Sequence, residues 1–416
     1  MKKIVISVAV LLCLSSALFA EDVNMAPLSY GSTAGNALGG PHVAYTDDIY
    51  SLFVNPAALQ WANERMIFDF TFSFIGPFDK LLEEKTMDDI KGIMNAMEED
   101  DSSAMAKSFS ALTDPNTGIA AGGKLPIGFD IRGPLSFGYT ANGLGIGLFS
   151  RIFMDTRIIG TSIDANVYAD LTLPFGMSFN ILKLKNHELS TGFVLKPFAR
   201  VWVNKDMSAL DLMDLDSINL DVPVIAGAAS DLGLMYRFKK DLVAGLTVSD
   251  VYTFGYQVTN LNSLLDMEGS SDSSDVVYRV PFGINPGVAY TFRPSSFWKT
   301  PKLFQSFYTA VMFDWANVQN VFTWNDREHR NPLLDMGLGV EVGLFSFLKF
   351  RAGIHELLPS VGFGLEPSVF KLNFAIYGKE LGSEPGVNST LGADLSITFR
   401  PNTKKRNWVW TQPIVK

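Results

Sequence analysis

The sequence is poor in the residues that usually carry catalysis or bind metals. Among its 416 residues, Cys13 is the only cysteine, and it lies in a segment that we predict is removed, so the mature chain has no thiol for disulfides, thiolate metal sites or nucleophilic attack. The four histidines are far apart, and no Gly-x-Ser-x-Gly nucleophile elbow is present. We therefore expect neither an enzyme nor a bound cofactor or metal.

Long apolar runs are also missing after the first residues of the chain. Lys2 and Lys3 precede an apolar stretch that ends at Ala20, which is typical of a signal peptide over residues 1–20. Acylation of Cys13 is an alternative, but bulky Leu12 occupies a position where a small residue is expected. Beyond this segment no run approaches the roughly 18 apolar residues that a membrane-spanning helix needs.

The composition is nevertheless that of an apolar protein without a binding surface for nucleic acid. Hydrophobic residues make up 47% of the chain, the formal net charge is −9, and 35 glycines and 32 phenylalanines are spread throughout. A closed transmembrane barrel explains this combination, because lipid-facing and lumen-facing residues alternate along each strand.

This alternation can be followed segment by segment. In Gly145–Ile159 the even positions are mostly apolar, whereas Arg151 and Arg157 share the odd face. We predict an all-β fold, a transmembrane β-barrel of about fourteen antiparallel strands with both termini in the periplasm. The predicted strands are 66–75, 135–142, 145–159, 164–180, 189–204, 224–238, 242–258, 278–292, 305–319, 334–346, 348–356, 359–366, 369–378 and 390–400.

The predicted organisation has four parts. After the signal peptide, residues 21–60 form a plug inside the barrel, residues 61–400 form the barrel, and residues 401–416 form a periplasmic tail with Trp408 and Trp410. Prolines inside the predicted strands favour bends, since each removes a donor from the ladder. They are Pro174, Pro197, Pro281 and Pro286.

The segment Gly31–Leu59 is crowded with glycine and alanine, carries the acidic pair Asp47-Asp48, and ends in Asn55-Pro56-Ala57. It resembles the N-terminal hatch of FadL-type long-chain fatty-acid transporters of bacterial outer membranes. The resemblance implies an outer-membrane protein for passive uptake of long-chain fatty acids or similar hydrophobic molecules, with membrane lipid and the barrel-assembly machinery as partners. Alternatives are a structural or host-contacting surface barrel and a hydrocarbon- or secretion-associated member of the same superfamily.

The resemblance and the alternation together suggest binding residues. Partly helical outer loops, rich in flexible methionine side chains, are expected to capture an acyl chain or, alternatively, to pack on the barrel mouth. The candidates for this acyl groove are Met94, Met97, Leu210 and Met213. A buried carboxylate needs cationic partners in the lumen. The candidates by alternation are Arg151, Arg157, Lys196 and Arg200.

A gating hypothesis concerns the hatch itself. If the hatch acids pair with lumen arginines such as Arg151, a ligand carboxylate would compete for those arginines and loosen the plug. The alternative is a static plug in which Asp47-Asp48 caps a turn. The residues assigned to hatch and gating are Gly39, Gly40, Asp47, Asp48, Asn55, Pro56 and Ala57.

Overall fold

The computed structural model describes most of the mature chain. The described residues are 22–40, 42–46, 48–62, 66–78, 84–99, 101–112, 125–159, 162–208, 222–239, 241–260, 276–294, 306–322, 330–345, 347–367 and 369–401. The predicted signal peptide and all but the first residue of the predicted tail lie outside this set.

Eighteen strand segments belong to one sheet. They are β1 (Asp22–Asn24), β2 (Ile67–Gly76), β3 (Leu125–Arg132), β4 (Phe137–Ala141), β5 (Leu144–Ile159), β6 (Ser162–Thr172), β7 (Phe175–Lys183), β8 (His187–Ser208), β9 (Pro223–Phe238), β10 (Leu242–Asn260), β11 (Val277–Arg279), β12 (Gly283–Phe292), β13 (Tyr308–Trp315), β14 (Met336–Leu344), β15 (Leu348–His355), β16 (Leu358–Leu365), β17 (Phe370–Glu380) and β18 (Ser389–Phe399).

The sheet closes on itself, because β18 pairs with β2 in an antiparallel ladder from Leu391↔Gly76 to Phe399↔Phe68. Three wall positions are each made of two consecutive segments. β3 and β4 both lie between β2 and β5, β6 and β7 both lie between β5 and β8, and β11 and β12 both pair with β10. β1 belongs to the N-terminal segment and pairs in parallel with β11. The wall is therefore a ring of about fourteen strands, as the alternation predicts.

Each of the three two-segment wall positions has a proline in the break between its segments. Pro174 and Pro281 lie in the breaks between β6 and β7 and between β11 and β12, as expected of residues without a ladder donor. Pro134 lies in the break between β3 and β4.

The strand β3 is absent from the predicted strands. Its apolar residues do alternate, at Leu125, Ile127, Phe129 and Ile131, but Pro126 and Gly128 lie between them, and both residue types are uncommon inside strands.

Pro197 and Pro286 do not break their strands. They lie within β8 and β12, where they are paired with Ala228 and Leu246. Pro197 lies opposite the break between β6 and β7, and Pro286 directly precedes the ladder between β12 and β13, which begins at Gly287.

Connections between strands distinguish the two ends of the barrel. At one end, the turn end, short turns join β4 to β5, β7 to β8, β9 to β10 and β14 to β15. At the other, the loop end, longer connections follow β2, β8, β10 and β13. The connection after β2 contains the helices α2 (Glu84–Glu98) and α3 (Ser102–Leu112). Within the described residues, no helix is both long and apolar enough to cross a membrane.

The outer face of the ring is apolar along its strands. Phe68, Phe70 and Phe72 of β2 are 41–46% exposed, and Leu395 and Phe399 of the neighbouring β18 are 46% and 53% exposed. The inward positions between them are polar and buried, among them Thr71 and Ser396. Exposed apolar area on this scale marks a surface that contacts lipid or another apolar phase.

The N-terminal segment, residues 22–62, lies inside the ring and is called the hatch below. It contains the helix α1 (Thr33–Ala37) and two 3₁₀ helices, Ile49–Leu52 and Pro56–Gln60. Leu52 and Leu59 are fully buried, so the hatch occupies the lumen closely.

Candidate functional site: the lumen and its hatch

One side of the hatch packs without a gap on the wall formed by β4, β5 and β7–β9; we call this contact the seat. A Cβ added to Gly176 would lie 2.7 Å from Leu59 Cδ1, and one added to Gly233 would lie 2.9 Å from the backbone nitrogen of Ala57. Only glycine permits such an approach between wall and hatch. Apolar side chains fill the rest of the contact, led by Ile49 and Leu52.

Polar groups in the seat are satisfied by specific hydrogen bonds. Asn55 Oδ1 accepts a hydrogen bond from the Ala57 amide at 3.1 Å, and Asn55 Nδ2 donates to the Val43 carbonyl oxygen at 2.9 Å. The hydroxyls of Ser178 and Ser190 both donate to the Ala57 carbonyl oxygen, at 2.9 and 3.1 Å. Asn55, Pro56 and Ala57 thus form a well-bonded 3₁₀ cap that is fixed to three wall strands.

Three lumen arginines hold the first part of the hatch by its backbone. Arg200 Nη1 donates to the Ala26 carbonyl oxygen at 2.6 Å, Arg151 Nη1 donates to the Ser29 carbonyl oxygen at 3.0 Å, and Arg132 Nη1 donates to the Gly31 carbonyl oxygen. Each arginine therefore links the wall to one carbonyl group of the hatch.

Each of these arginines is also neutralised by a wall aspartate. Arg200 forms a bidentate pair with Asp170, at 2.6 and 2.8 Å, and Arg151 forms one with Asp130, at 2.8 and 3.0 Å. Arg132 Nη2 lies 3.3 Å from Asp394. Buried charges in proteins need such partners.

Lys196 is likewise bound to aspartates of the wall. Its ammonium lies 2.8 Å from Asp231 and 3.3 Å from Asp250, and all three side chains are buried. The alternation correctly placed Arg151, Lys196 and Arg200 on the lumen face, but in the structure they contact wall acids and hatch carbonyls.

Arg157 has the most exposed side chain of the four predicted cations. Its side chain is 37% exposed and lies 3.4 Å from Asp155. A further cation, Lys379 of β17, faces the same part of the lumen near the loop end, with its ammonium 5.9 Å from the centre of the Phe153 ring. Among the described residues, Lys379 has no carboxylate within ion-pair distance, although Asp155 is near enough to interact electrostatically.

Lys379 is a site residue that the sequence analysis missed. It continues the inward face that Lys371, Asn373, Ala375 and Tyr377 define by alternation, so the same pattern extended by two residues finds it.

Of the two hatch acids, Asp48 does not meet Arg151. Asp48 Oδ1 accepts a hydrogen bond from the Tyr50 amide at 3.0 Å and so caps a 3₁₀ helix, while Asp48 Oδ2 lies 3.4 Å from Lys371 Nζ. The expected pairing is therefore wrong for Asp48, because its side chain faces β17 while Arg151 is bound to Asp130. Asp47 lies outside the described residues.

Gly39 and Gly40 have φ angles of +82° and +124°, which few other residues adopt. A Cβ on Gly39 would also lie 2.8 Å from the Ile354 nitrogen. The two glycines thus turn the chain directly against β15. Whether they also allow movement stays a prediction.

Two hatch tyrosines bind a buried wall carboxylate. Tyr50 Oη donates to Asp69 at 3.0 Å, and Tyr30 Oη donates to Ser136 at 2.8 Å. Burial, reinforced by the nearby Asp69 charge, raises the pKa of both phenols well above its ordinary value, so both remain protonated donors.

The other side of the hatch faces a small polar cavity of about 100 Å³ at the turn end of β14–β18; we call this cavity the chamber. Its ionisable lining includes Asp48 of the hatch and five wall residues. These wall residues are Glu341, Lys349, Arg351, Glu366 and Lys371.

The predicted acyl groove is only partly visible. Met94 lies on α2 with 64% of its surface exposed. The side chain of Met97 and the residues Leu210 and Met213 lie outside the part of the chain that the structure describes. No contact among the four is therefore established.

Similar proteins are found among solved structures. No protein-family model matches the chain, and no curated protein matches it. Among solved structures, the toluene transporter TodX of Pseudomonas putida has a TM-score of 0.47 and 11% identity, with 89% of this chain and 98% of that chain covered.

A FadL homologue of Pseudomonas aeruginosa has a TM-score of 0.42 and 10% identity over 90% of this chain and 99% of that one. The Ralstonia pickettii toluene transporter TbuX has a TM-score of 0.44 and 11% identity, with 90% and 99% covered. In structure, this chain is similar to FadL-type barrels. Because each of these TM-scores is below 0.5, the barrel architecture rests on the strand pairing of this chain itself.

Proposed function

We propose that this protein is an outer-membrane channel for the passive uptake of hydrophobic small molecules, and of long-chain fatty acids in particular. The observation that carries the proposal is an amphipathic lumen near the loop end, where Lys379 lies beside the aromatic ring of Phe153 and the partly exposed Arg157 follows Phe153 on the same face of β5. An apolar chain with one carboxylate matches such a surface, because the cations bind the headgroup while the ring contacts methylene groups.

The apolar belt sets the environment of this lumen. Exposed phenylalanines on β2 and leucines on the adjoining strands would contact lipid tails, and the antiparallel ladder between β18 and β2 closes the ring. Following the usual arrangement of such barrels, the loop end would face the outside and the turn end the periplasm. A ligand entering from outside would then meet Arg157 and Lys379 before the hatch.

The structure changes which cations are the best candidates for the carboxylate. Arg151, Lys196 and Arg200 already bind wall aspartates, and the two arginines also hold hatch carbonyls, so using them for a ligand would leave buried groups unpaired. Arg157 is partly exposed, and among the described residues Lys379 has no carboxylate within ion-pair distance, so both can still bind the carboxylate of a ligand. Hydrocarbons without a headgroup are the alternative cargo, and they would gain nothing from Lys379.

Uptake of labelled oleate by a transporter-deficient host expressing this chain tests the proposal. We expect Lys379→Met to lower oleate uptake about tenfold, the value of one charge-assisted hydrogen bond, and Arg157→Met to act in the same direction. Lys183→Met, an exposed cation on β7 at the turn end, is the matched control and should leave uptake unchanged. Met94→Asp should reduce capture if the outer loops bind the acyl chain first.

Uptake of labelled toluene by the same strains separates the two cargoes. Loss of oleate uptake with unchanged toluene uptake in Lys379→Met supports carboxylate recognition. If the parent chain neither binds nor takes up either compound, the channel function is wrong, and a sealed structural or host-contacting barrel is the better description.

A further inference from the structure

The chamber differs from the rest of the lumen in being lined by charge and in lying between hatch and wall. We propose that it is the narrow part of a second path, distinct from the hydrophobic route, along which water and small inorganic ions cross the barrel. The path would run on the β14–β18 side, with α1 as its closure.

The lining requires water. Besides His42, which is bound to Asp314, three basic and three acidic side chains border the chamber. Lys349, Lys371 and Asp48 keep 19%, 13% and 22% of their side-chain surface exposed, so their charged ends are partly solvated. A polar cavity of about 100 Å³ holds several water molecules, whereas an empty one of this kind would leave charges without solvation.

The inner charges of the chamber form a network that keeps the wall rigid around it. Arg351 binds Glu341 and Glu366, both at 2.7 Å, and donates to Asn373 at 2.9 Å. Lys349 lies 3.0 Å from Glu366. Because these groups satisfy one another, we expect the chamber to keep its shape when Lys371, which pairs with Asp48 of the hatch, is changed.

The opposite side of the hatch offers no comparable room. At the seat, hatch backbone lies against wall glycines, as at Gly233, and buried leucines fill the remaining space. An ion path past the hatch would therefore have to use the chamber side.

The helix α1 covers the chamber on the side of the loop end, where Ala37 packs on Gly362 of β16 and two hydrogen bonds join the helix to the wall. Asn36 Nδ2 donates to Asp394 at 2.7 Å, and the Ser360 hydroxyl donates to the Ala37 carbonyl oxygen at 3.1 Å. Loss of the Asn36 bond should therefore favour displacement of α1 and raise ion flow.

The test uses the purified full barrel in planar lipid bilayers, without any hydrophobic ligand, so its result is independent of the proposed uptake function. The ionic charges of the lining balance, and we therefore expect nearly equal potassium and chloride permeability in the parent, measured as a reversal potential in a KCl gradient. Lys371→Glu should raise the potassium-to-chloride permeability ratio about fivefold, and Lys371→Gln should raise it less.

Two further variants complete the design. Asn36→Ala should increase the mean current severalfold while leaving the permeability ratio at the parent value. Lys183→Glu makes the same charge change at the turn end on the other side of the barrel, and it should leave the ratio nearly unchanged. An equal shift in Lys183→Glu and Lys371→Glu, or the absence of ion current in both the parent and Asn36→Ala, would overturn the proposal.

Discussion

The two sides of the hatch differ in what separates them from the wall. On the seat side, glycines let the 3₁₀ helix Pro56–Gln60 touch the strands, and hydroxyls of Ser178 and Ser190 fix its carbonyl. On the chamber side, long charged side chains extend into a polar cavity. Backbone contact also occurs on the β14–β16 wall, where Leu38 and Gly39 lie against Gly353 and Gly337, but below this contact the hatch faces a polar cavity that the described residues of the seat side do not form.

This difference shows how a plug can be held firmly while leaving one side adaptable. Close backbone packing tolerates little change in volume, because an added methyl group has no space to enter. Partly exposed ion pairs contribute less to stability and can exchange with water. Substitutions on the two sides should therefore differ in size as well as in kind.

The largest effect is expected at the seat. Gly233→Val would push a side chain against the Ala57 nitrogen and the ring of Pro56, so we expect a loss of about 3 kcal/mol in the free energy of unfolding, together with a leaky hatch. Urea unfolding followed by gel mobility measures the first, and bilayer conductance the second. Gly76→Val is the control, since its new side chain meets the ring of Phe74, which can turn aside. Equal losses in both variants would contradict the seat.

A smaller effect is expected from Asn55→Ala. The fully buried side-chain amide accepts a hydrogen bond from the Ala57 nitrogen and donates one to the Val43 carbonyl oxygen. Its removal leaves both groups without this partner and should lower the free energy of unfolding by about 2 kcal/mol. Asn55→Asp keeps the acceptor for Ala57 but loses the donor, so it distinguishes the two bonds in the same unfolding assay. A wild-type midpoint in Asn55→Ala would show that the cap does not anchor the hatch.

The smallest effect is expected at Asp48. Asparagine is also a good N-cap, so Asp48→Asn keeps the bond from the Tyr50 amide and removes only the pairing with Lys371. We expect a loss below about 1 kcal/mol in the unfolding assay, with a measurable change in bilayer conductance. A loss as large as that of Gly233→Val would mean that the chamber side, too, is a structural anchor.

Much of the wall could be predicted from the sequence, because one lipid-facing side imposes a strict period of two. The segment predicted at 145–159 is β5, Leu144–Ile159, in the structure. The strand β3 is absent from the predicted strands although its apolar residues alternate, since Pro126 and Gly128 between them are typical of turns. The pairing of β1 with β11 has no local signal in a three-residue segment.

The cations illustrate a different limit. Alternation gave the correct face for Arg200, yet its partner Asp170 lies directly opposite on β6, a register that the sequence alone does not reveal. Register also explains why Lys379 has no carboxylate within ion-pair distance among the described residues, since register sets which carboxylates the neighbouring strands bring near. The periodicity of a strand determines on which face a side chain lies, whereas the register between strands determines which ion-pair partner it meets.

The central claim is that the hatch is dry on the seat side and hydrated on the chamber side, and two matched serines test it most directly. Both Ser178 and Ser396 face the lumen and are buried, but Ser178 binds the hatch while Ser396 lines the chamber. Each is replaced by cysteine in the intact barrel, and the rate of thiol reaction with silver ions, which travel through water, is measured. We predict rapid reaction of Ser396→Cys and protection of Ser178→Cys until the barrel is unfolded. Equal protection at both positions, or faster reaction at Ser178→Cys, would contradict the account.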